Sequence, residues 1–97
     1  MITRVVYYGL MQTITKRRED EVEHEGSITV RELLKELVGR HGERFQEAVF
    51  ERSNRLAGYV RIILGEEELS QEDGLEQKIG DNRKVSIVVL LPSSMGG

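Results

Sequence analysis

Thr29-Val30-Arg31-Glu32-Leu33-Leu34-Lys35-Glu36-Leu37-Val38 is the stretch on which the fold turns. Thr29 and Glu32 stand at capping-box spacing, so the hydroxyl can accept from the Glu32 amide while the carboxylate returns a bond to the Thr29 amide. Thr29 is the expected N-cap. Val30, Leu33, Leu34, Leu37 and Val38 then fall at i, i+3, i+4, i+7 and i+8 and form one apolar stripe, with Glu36 and Arg40 paired on the wet side. A helix of this kind needs an apolar sheet to lie on. Gly39 and Gly42 loosen its end, and Phe45, Ala48 and Val49 are expected to form one further short helical piece before the polar Arg52-Ser53-Asn54-Arg55.

Strands flank this helix on both sides. Val85-Ser86-Ile87-Val88-Val89-Leu90-Leu91 is apolar at almost every position, as a central strand is. Tyr59-Val60-Arg61-Ile62-Ile63-Leu64 reads as another strand, and Gly65-Glu66-Glu67-Glu68-Leu69 as a turn into a short edge segment. Between them Leu75 and Ile79, set among Gly74, Gly80 and Asp81-Asn82, are expected to plug the core. Upstream, the β-branched and aromatic Val5-Val6-Tyr7-Tyr8 suits a first strand, with a polar continuation through Ile14-Thr15. The run Lys16-Arg17-Arg18-Glu19-Asp20-Glu21 is expected to be a solvated hairpin turn leading into a second strand around Val22. The order is strand, strand, helix, strand, short strand, strand: an α+β domain with one main helix on one face of a mixed sheet.

Ninety-seven residues, 38% of them hydrophobic, fit a single domain over residues 1–91 with a flexible tail over 92–97. Aromatic residues make up only 5% and Trp is absent, so the core is aliphatic. A formal charge of −3 gives no general attraction to nucleic acid or to anionic membranes. Without Cys there is no disulfide scaffold, thiolate metal site or cysteine nucleophile. The apolar start carries an early charge and no small-residue cleavage site, and no window approaches the roughly 18 apolar residues of a membrane span. A soluble, cytoplasmic chain is expected.

Motifs of catalysis are missing: the sequence has no G-x-G-x-x-G, P-loop, H-E-x-x-H, G-x-S-x-G or EF-hand loop. His24 lies between Glu23 and Glu25, whose side chains point to the opposite face of a strand, so it reads as an exposed hairpin histidine and not a metal ligand. His41, at a helix end, is placed to meet terminal carbonyls. Glu66-Glu67-Glu68 and Glu72-Asp73 are consecutive acids among turn residues, a solvated surface able to steer a basic partner.

The informative end is Leu90-Leu91-Pro92-Ser93-Ser94-Met95-Gly96-Gly97. Two terminal glycines arise by chance in roughly 0.5% of chains. Lacking Cβ atoms, they can thread a narrow channel and bring a carboxylate against the α-phosphate of a nucleotide. That carboxylate, with an ordinary pKa of about 3.3–3.7, is ionised and a poor electrophile, so it needs conversion to an acyl-adenylate before a sulfur or amine attacks. ATP is then used by the activating partner, and no cofactor is bound by this chain. Pro92 is a natural stop for sheet pairing, and the residues from it onward span at most about 20 Å.

Taken together, these segments resemble the MoaD/ThiS family of ubiquitin-like β-grasp sulfur carriers, on the MoaD side by length. The resemblance rests on Val5-Val6-Tyr7-Tyr8, Ile28-Thr29-Val30-Arg31-Glu32-Leu33-Leu34, Asp73-Gly74-Leu75, Gly80-Asp81 and Gly96-Gly97, and so covers essentially the whole chain. It implies a ubiquitin-like β-grasp with a mixed four- to five-stranded sheet on one main helix. It also implies a carrier and not an enzyme, comparable to the non-catalytic small subunit of molybdopterin synthase. Gly97 would be adenylated by a MoeB/ThiF-like, ubiquitin-activating-type enzyme and converted to a thiocarboxylate, with Gly96 as its channel-fitting neighbour. The sulfur would go to the molybdenum or tungsten pterin cofactor through a MoaE-like large subunit, or in other members to thiamin, thiolated tRNA or cysteine. A ubiquitin-like modifier joined through Gly97 to protein lysines is the alternative. The usual MoaD-like ending has an aromatic residue and two prolines; here Leu91 stands for the aromatic and Pro92 alone remains.

Alternation adds a docking surface. If Val85, Ile87, Val89 and Leu91 face the helix, Val88 and Leu90 face away, joined by Ile63 on the neighbouring strand. The expected partner-binding residues are Ile63, Val88 and Leu90, with Leu91, Pro92 and Met95 leading to the glycines.

Overall fold

The computed structural model describes residues 1–90. In chain order the elements are β1 (Ile2–Tyr8), α1 (Leu10–Thr15), β2 (Glu19–Glu23), β3 (Ile28–Thr29), α2 (Val30–His41), α3 (Glu43–Val49), β4 (Val60–Leu64), β5 (Glu67–Glu68), a 3-10 turn (Gly74–Glu76), β6 (Lys78–Ile79) and β7 (Arg83–Val89). Five strands form one sheet in the order β2-β1-β7-β4-β5, and β3 and β6 make a separate two-stranded ribbon. β7 lies in the middle, parallel to β1 and antiparallel to β4, as its unbroken apolar run leads one to expect.

The capping box forms as read from the sequence: Thr29 Oγ1 accepts from the Glu32 amide at 3.1 Å and the Thr29 amide donates to Glu32 Oε1 at 2.8 Å. These bonds hold the Glu32 carboxyl below its usual range. The α2 stripe then buries Val30, Leu33, Leu34 and Leu37 in one cluster with Val5, Tyr7, Ile62, Val85 and Ile87 from the sheet and Phe45 and Val49 from α3. Each such side chain contributes about 1.5–3 kcal/mol by leaving water. Leu75 and Ile79 plug the same core.

Several expectations need correction. Leu10–Thr15 is a helix and does not continue β1. Gly9, at φ 59°, turns the chain, and helical spacing then buries Met11 and Thr15 on one side. Thr15 Oγ1 donates back to the Met11 carbonyl at 2.9 Å, and Lys16 closes the helix in the left-handed region. The same residues read at period two look like a strand, and the threonines encourage that reading. Consequently β1 and β2 are antiparallel neighbours joined by a helix, and Glu19-Asp20-Glu21 belongs to β2 rather than to a turn.

Asp20 is the second departure, because it is buried despite its charged neighbours. Tyr7 Oη donates to its Oδ2 at 2.7 Å, His41 Nε2 reaches the same oxygen at 2.7 Å, and Arg17 Nε pairs with Oδ1 at 2.8 Å. Burial pushes this carboxyl up, but the hydrogen bonds from Tyr7 and His41 and the charges of His41 and Arg17 outweigh it and hold it below the ordinary carboxylate value. Burial, and then the bond to Asp20, push the Tyr7 phenol far up. His41 therefore binds a carboxylate and not terminal carbonyls, with its ring stacked on Phe45 at 5.8 Å. His24 is likewise engaged: Nδ1 donates to the Gly26 carbonyl at 2.6 Å, and Nε2 is hydrogen-bonded to the hydroxyl of the fully buried Thr3 at 2.8 Å.

The free edge of β2 is covered by the same arginines that attend Asp20. Arg18 and His24 bond inward to β1, so the main-chain groups of Glu19 and Glu21 point outward. Arg17 Nε donates to the Glu19 carbonyl at 3.2 Å and Arg40 Nη1 to the Glu21 carbonyl at 2.8 Å.

Replacing Asp20 by Asn is expected to lower stability at pH 7 by about 1–3 kcal/mol, since Tyr7 and His41 lose a charged acceptor. The folded-state pKa of Asp20 lies below its unfolded value, so its contribution is present above pH ~4 and is lost as the pH falls through the folded value. Urea midpoints of the two proteins are expected to differ at pH 7 and to converge as the pH falls through the folded value of Asp20.

Candidate functional site

One face of the sheet carries the helices and the other carries none of the buried core residues, and side-chain alternation decides what stands there. Along β7, Val85, Ile87 and Val89 are buried, so Lys84, Ser86, Val88 and Leu90 take the outer parity. On β1 the outer residues are Ile2, Arg4, Val6 and Tyr8, and on β4 they are Arg61 and Ile63, with Tyr59 one step before the strand.

Register assembles these residues into rows across the strands. Glu19, Val6, Ser86, Ile63 and Glu68 make one row. Tyr8, Val88 and Arg61 make the next. Leu90 and Tyr59 follow, tied by the Leu90 amide donating to the Tyr59 carbonyl at 2.7 Å, so the ladder holds through the last described residue.

Val88 and Ile63 are half-buried, whereas Leu90 is 47% exposed, Tyr8 43% and Tyr59 46%. At about 200 Å² per aromatic side chain, the two tyrosines leave on the order of 180 Å² of surface. Leu90, Val88 and Ile63 add to it, which brings the patch toward the few hundred Å² of the largest apolar patch on a typical monomer, a size that is often functional. Arg61 closes its side. Its Nη1 donates to the Gly58 carbonyl at 2.8 Å and its Nε pairs with Glu68 Oε2 at 3.2 Å, and on β4 it is the register partner of Val88.

Of the residues expected to bind a partner, Ile63, Val88 and Leu90 thus share this face. Leu91, Pro92, Met95, Gly96 and Gly97, and with them the tail over 92–97, lie outside the described residues. Tyr8, Tyr59 and Arg61 are the members that sequence reasoning left out. Their signal was present in the two-residue spacing Val6/Tyr8 and Tyr59/Arg61/Ile63, but without strand order nothing says that these residues meet Val88.

No group of three His, Asp or Glu residues among the described residues is placed to hold a metal, and no helix among them is long and apolar enough to cross a membrane. The Asp20–His41–Tyr7 cluster lies on the opposite side of the sheet, at 12% side-chain exposure for His41 and 7% for Asp20, where it fixes packing.

The five-stranded mixed sheet with α2 across it is a ubiquitin-like β-grasp fold. It superimposes on SAMP1 from Haloferax volcanii with a TM-score of 0.81 at 17% identity, over 96% of this chain and 99% of that one. Molybdopterin converting factor subunit 1 as assigned in Pyrococcus furiosus matches with a TM-score of 0.72 at 24% identity, over 93% and 98% of the two chains. A chain of the BexX/CysO complex from Amycolatopsis orientalis matches at 0.72 and 22% identity, over 94% and 98%. No protein-family model and no curated protein matches the chain by sequence.

Neighbouring positions on β7 give opposite expectations. Val88→Asp places a charge on the outer face and is expected to leave the melting temperature within a few degrees. Ile87→Asp buries an unpaired charge in the core and is expected to unfold the domain at 25 °C. Circular dichroism melts of the two variants separate the faces; equal loss in both would place Val88 in the core.

Proposed function

We propose that this chain is a ubiquitin-like sulfur carrier whose working group is the carboxylate of Gly97. The observation that carries the reading is the position of the apolar outer patch, at the end of the sheet where the β7 ladder finishes at Leu90, seven residues before Gly97. A partner seated on Tyr8, Val88 and Leu90 is within reach of whatever those seven residues present, since they extend to at most about 25 Å. The β-grasp fold, shared with SAMP1, CysO and the Pyrococcus furiosus protein, supports it.

The chemistry follows from the weakness of a carboxylate as an electrophile. A Gly97 oxygen attacks the α-phosphorus of ATP on a ubiquitin-activating-type enzyme, pyrophosphate leaves, and an acyl-adenylate results. Sulfide then attacks the acyl carbon, AMP departs with its oxygen, and a thiocarboxylate remains. This chain contributes no catalytic side chain to either step. It supplies the docking face, a narrow glycine end and the electrophilic carbon. Transfer of the sulfur through a MoaE-like large subunit into the molybdenum or tungsten pterin cofactor is the destination we favour, in keeping with the similarity to a molybdopterin converting factor subunit.

A second reading has its own support. The Haloferax volcanii protein is named a small archaeal modifier protein, and the same activated carbon can be taken by a lysine amine. The intact mass of the chain after incubation with the adenylating enzyme, ATP and a sulfur donor decides between them. The expected result is the increment of one sulfur for one oxygen, absent when Gly97 is deleted. No increment with an enzyme that demonstrably forms the adenylate, together with Gly97-dependent conjugates on lysines, would move the assignment to the modifier.

A further inference from the structure

The outer face does not stay apolar along its whole length. One row beyond Val6 and Ser86, away from the end that carries Leu90, Arg4 on β1 stands directly beside Lys84 on β7. Neighbouring strands lie about 4.8 Å apart, so two cations of the same parity are held side by side, an arrangement that costs stability when nothing offsets it. Glu21 is across from Arg4 on β2, yet no ion pair among the described residues involves Arg4, Lys84 or Arg83. These three cations, with Glu21, Ile2 and Asn82, line an open hollow of about 210 Å³. In a chain of net charge −3, what distinguishes these three cations is their convergence on one hollow, with Arg4 and Lys84 on neighbouring strands.

Dimensions connect this hollow to the apolar patch. Lys84 and Val88 are four residues apart on one strand, about 13 Å at 3.3 Å per residue. A stable interface covers about 800 Å² per partner, a disc of roughly 16 Å radius. A partner centred on Val88 therefore also covers Arg4 and Lys84. Desolvating that pair against an apolar or basic surface would oppose binding, whereas carboxylates there would offset both the desolvation and the mutual repulsion of the pair.

Resting on the carrier reading, we infer that the enzyme that activates this chain presents acidic side chains to Arg4 and Lys84 while it covers Tyr8, Val88 and Leu90 with apolar ones. The face is thus read in two halves. The apolar half supplies contact area near the tail, and the cationic half fixes which way round the sheet lies, because a partner rotated by half a turn would set its acids against Leu90 and Tyr59.

The test compares Arg4→Glu/Lys84→Glu with Lys35→Glu/Arg44→Glu, which changes the same charge on exposed helical positions. Each full-length variant is titrated into the adenylating enzyme of the same genome, with ATP and sulfide, and sulfur incorporation is read by intact mass. For the outer-face pair the carrier concentration giving half the maximal rate is expected to rise roughly tenfold or more, with the maximal rate kept within about twofold and the gap narrowing as salt is added. Arg4→Gln/Lys84→Gln is expected to shift it less, in the same direction, and thermal melts of all variants check folding. An unchanged half-saturating concentration, or an equal shift in the helical control, overturns the inference. So does an unchanged value accompanied by inorganic phosphate moving the amide resonances of Arg4 and Lys84, which would assign the hollow to a small anion. Failure of the carrier reading is distinct, because the wild-type chain itself would then gain no sulfur.

Discussion

A slip of one residue between β7 and β1 would turn Val85, Ile87 and Val89 out to water and carry Lys84, Val88 and Leu90 into the core. The register Val5↔Val85 and Tyr7↔Ile87 forbids it, and Val60↔Val89 and Ile62↔Ile87 enforce the same parity from the other side. Nearly everything else follows from this one alignment. It gives the α2 stripe an apolar surface to lie on, and it fixes the Leu90 side chain on the face away from the helices. The outer patch is thus tied to the core, since a strand that buries its odd positions under the helices turns its even ones to the opposite face.

Two residues at the helix start carried much of this in advance. Thr29 and Glu32 marked the N-terminus of α2 to the residue, because a capping box is a local arrangement that needs no knowledge of the rest of the chain. The central place of β7 was legible for a similar reason, as few strands other than a central one tolerate so long an apolar run. Leu10–Thr15 was not, because in a short segment with β-branched residues the periods of two and of 3.6 predict nearly the same apolar positions. Asp20 was hidden by its neighbours. Inside Arg17-Arg18-Glu19-Asp20-Glu21 nothing local distinguishes the one carboxylate that faces inward, and only the arrival of Tyr7 and His41 from distant elements makes its burial tolerable. The candidate face was half legible on the same terms: Val88 and Leu90 follow from alternation within one strand, whereas Tyr8 and Tyr59 join them through strand order, which is a property of the whole chain.

Apart from Ser86, the buried polar residues of this small domain each have a named partner. Thr3 is met by His24, Asp20 by Tyr7, His41 and Arg17, and Thr15 by the Met11 carbonyl. Among the described residues no buried side-chain nitrogen or oxygen lacks a partner. That completeness separates the two sides of the sheet by chemistry. On the helix side titratable groups are locked in mutual hydrogen bonds, while on the outer side Arg4, Lys84 and the tyrosines are left to water.

The guanidinium groups of Arg17 and Arg40, resting on the Glu19 and Glu21 carbonyls, give the molecule a direction of approach. An exposed β2 rim would be an invitation to any extended peptide, including another copy of the same chain, to add itself as a further strand. With two of its outward carbonyls taken, that rim is a poorer template, and the broad outer face of the sheet is left as the more open surface. Encounters that read side chains are reversible and selective in a way that backbone pairing is not, which is what the proposed carrier role would require.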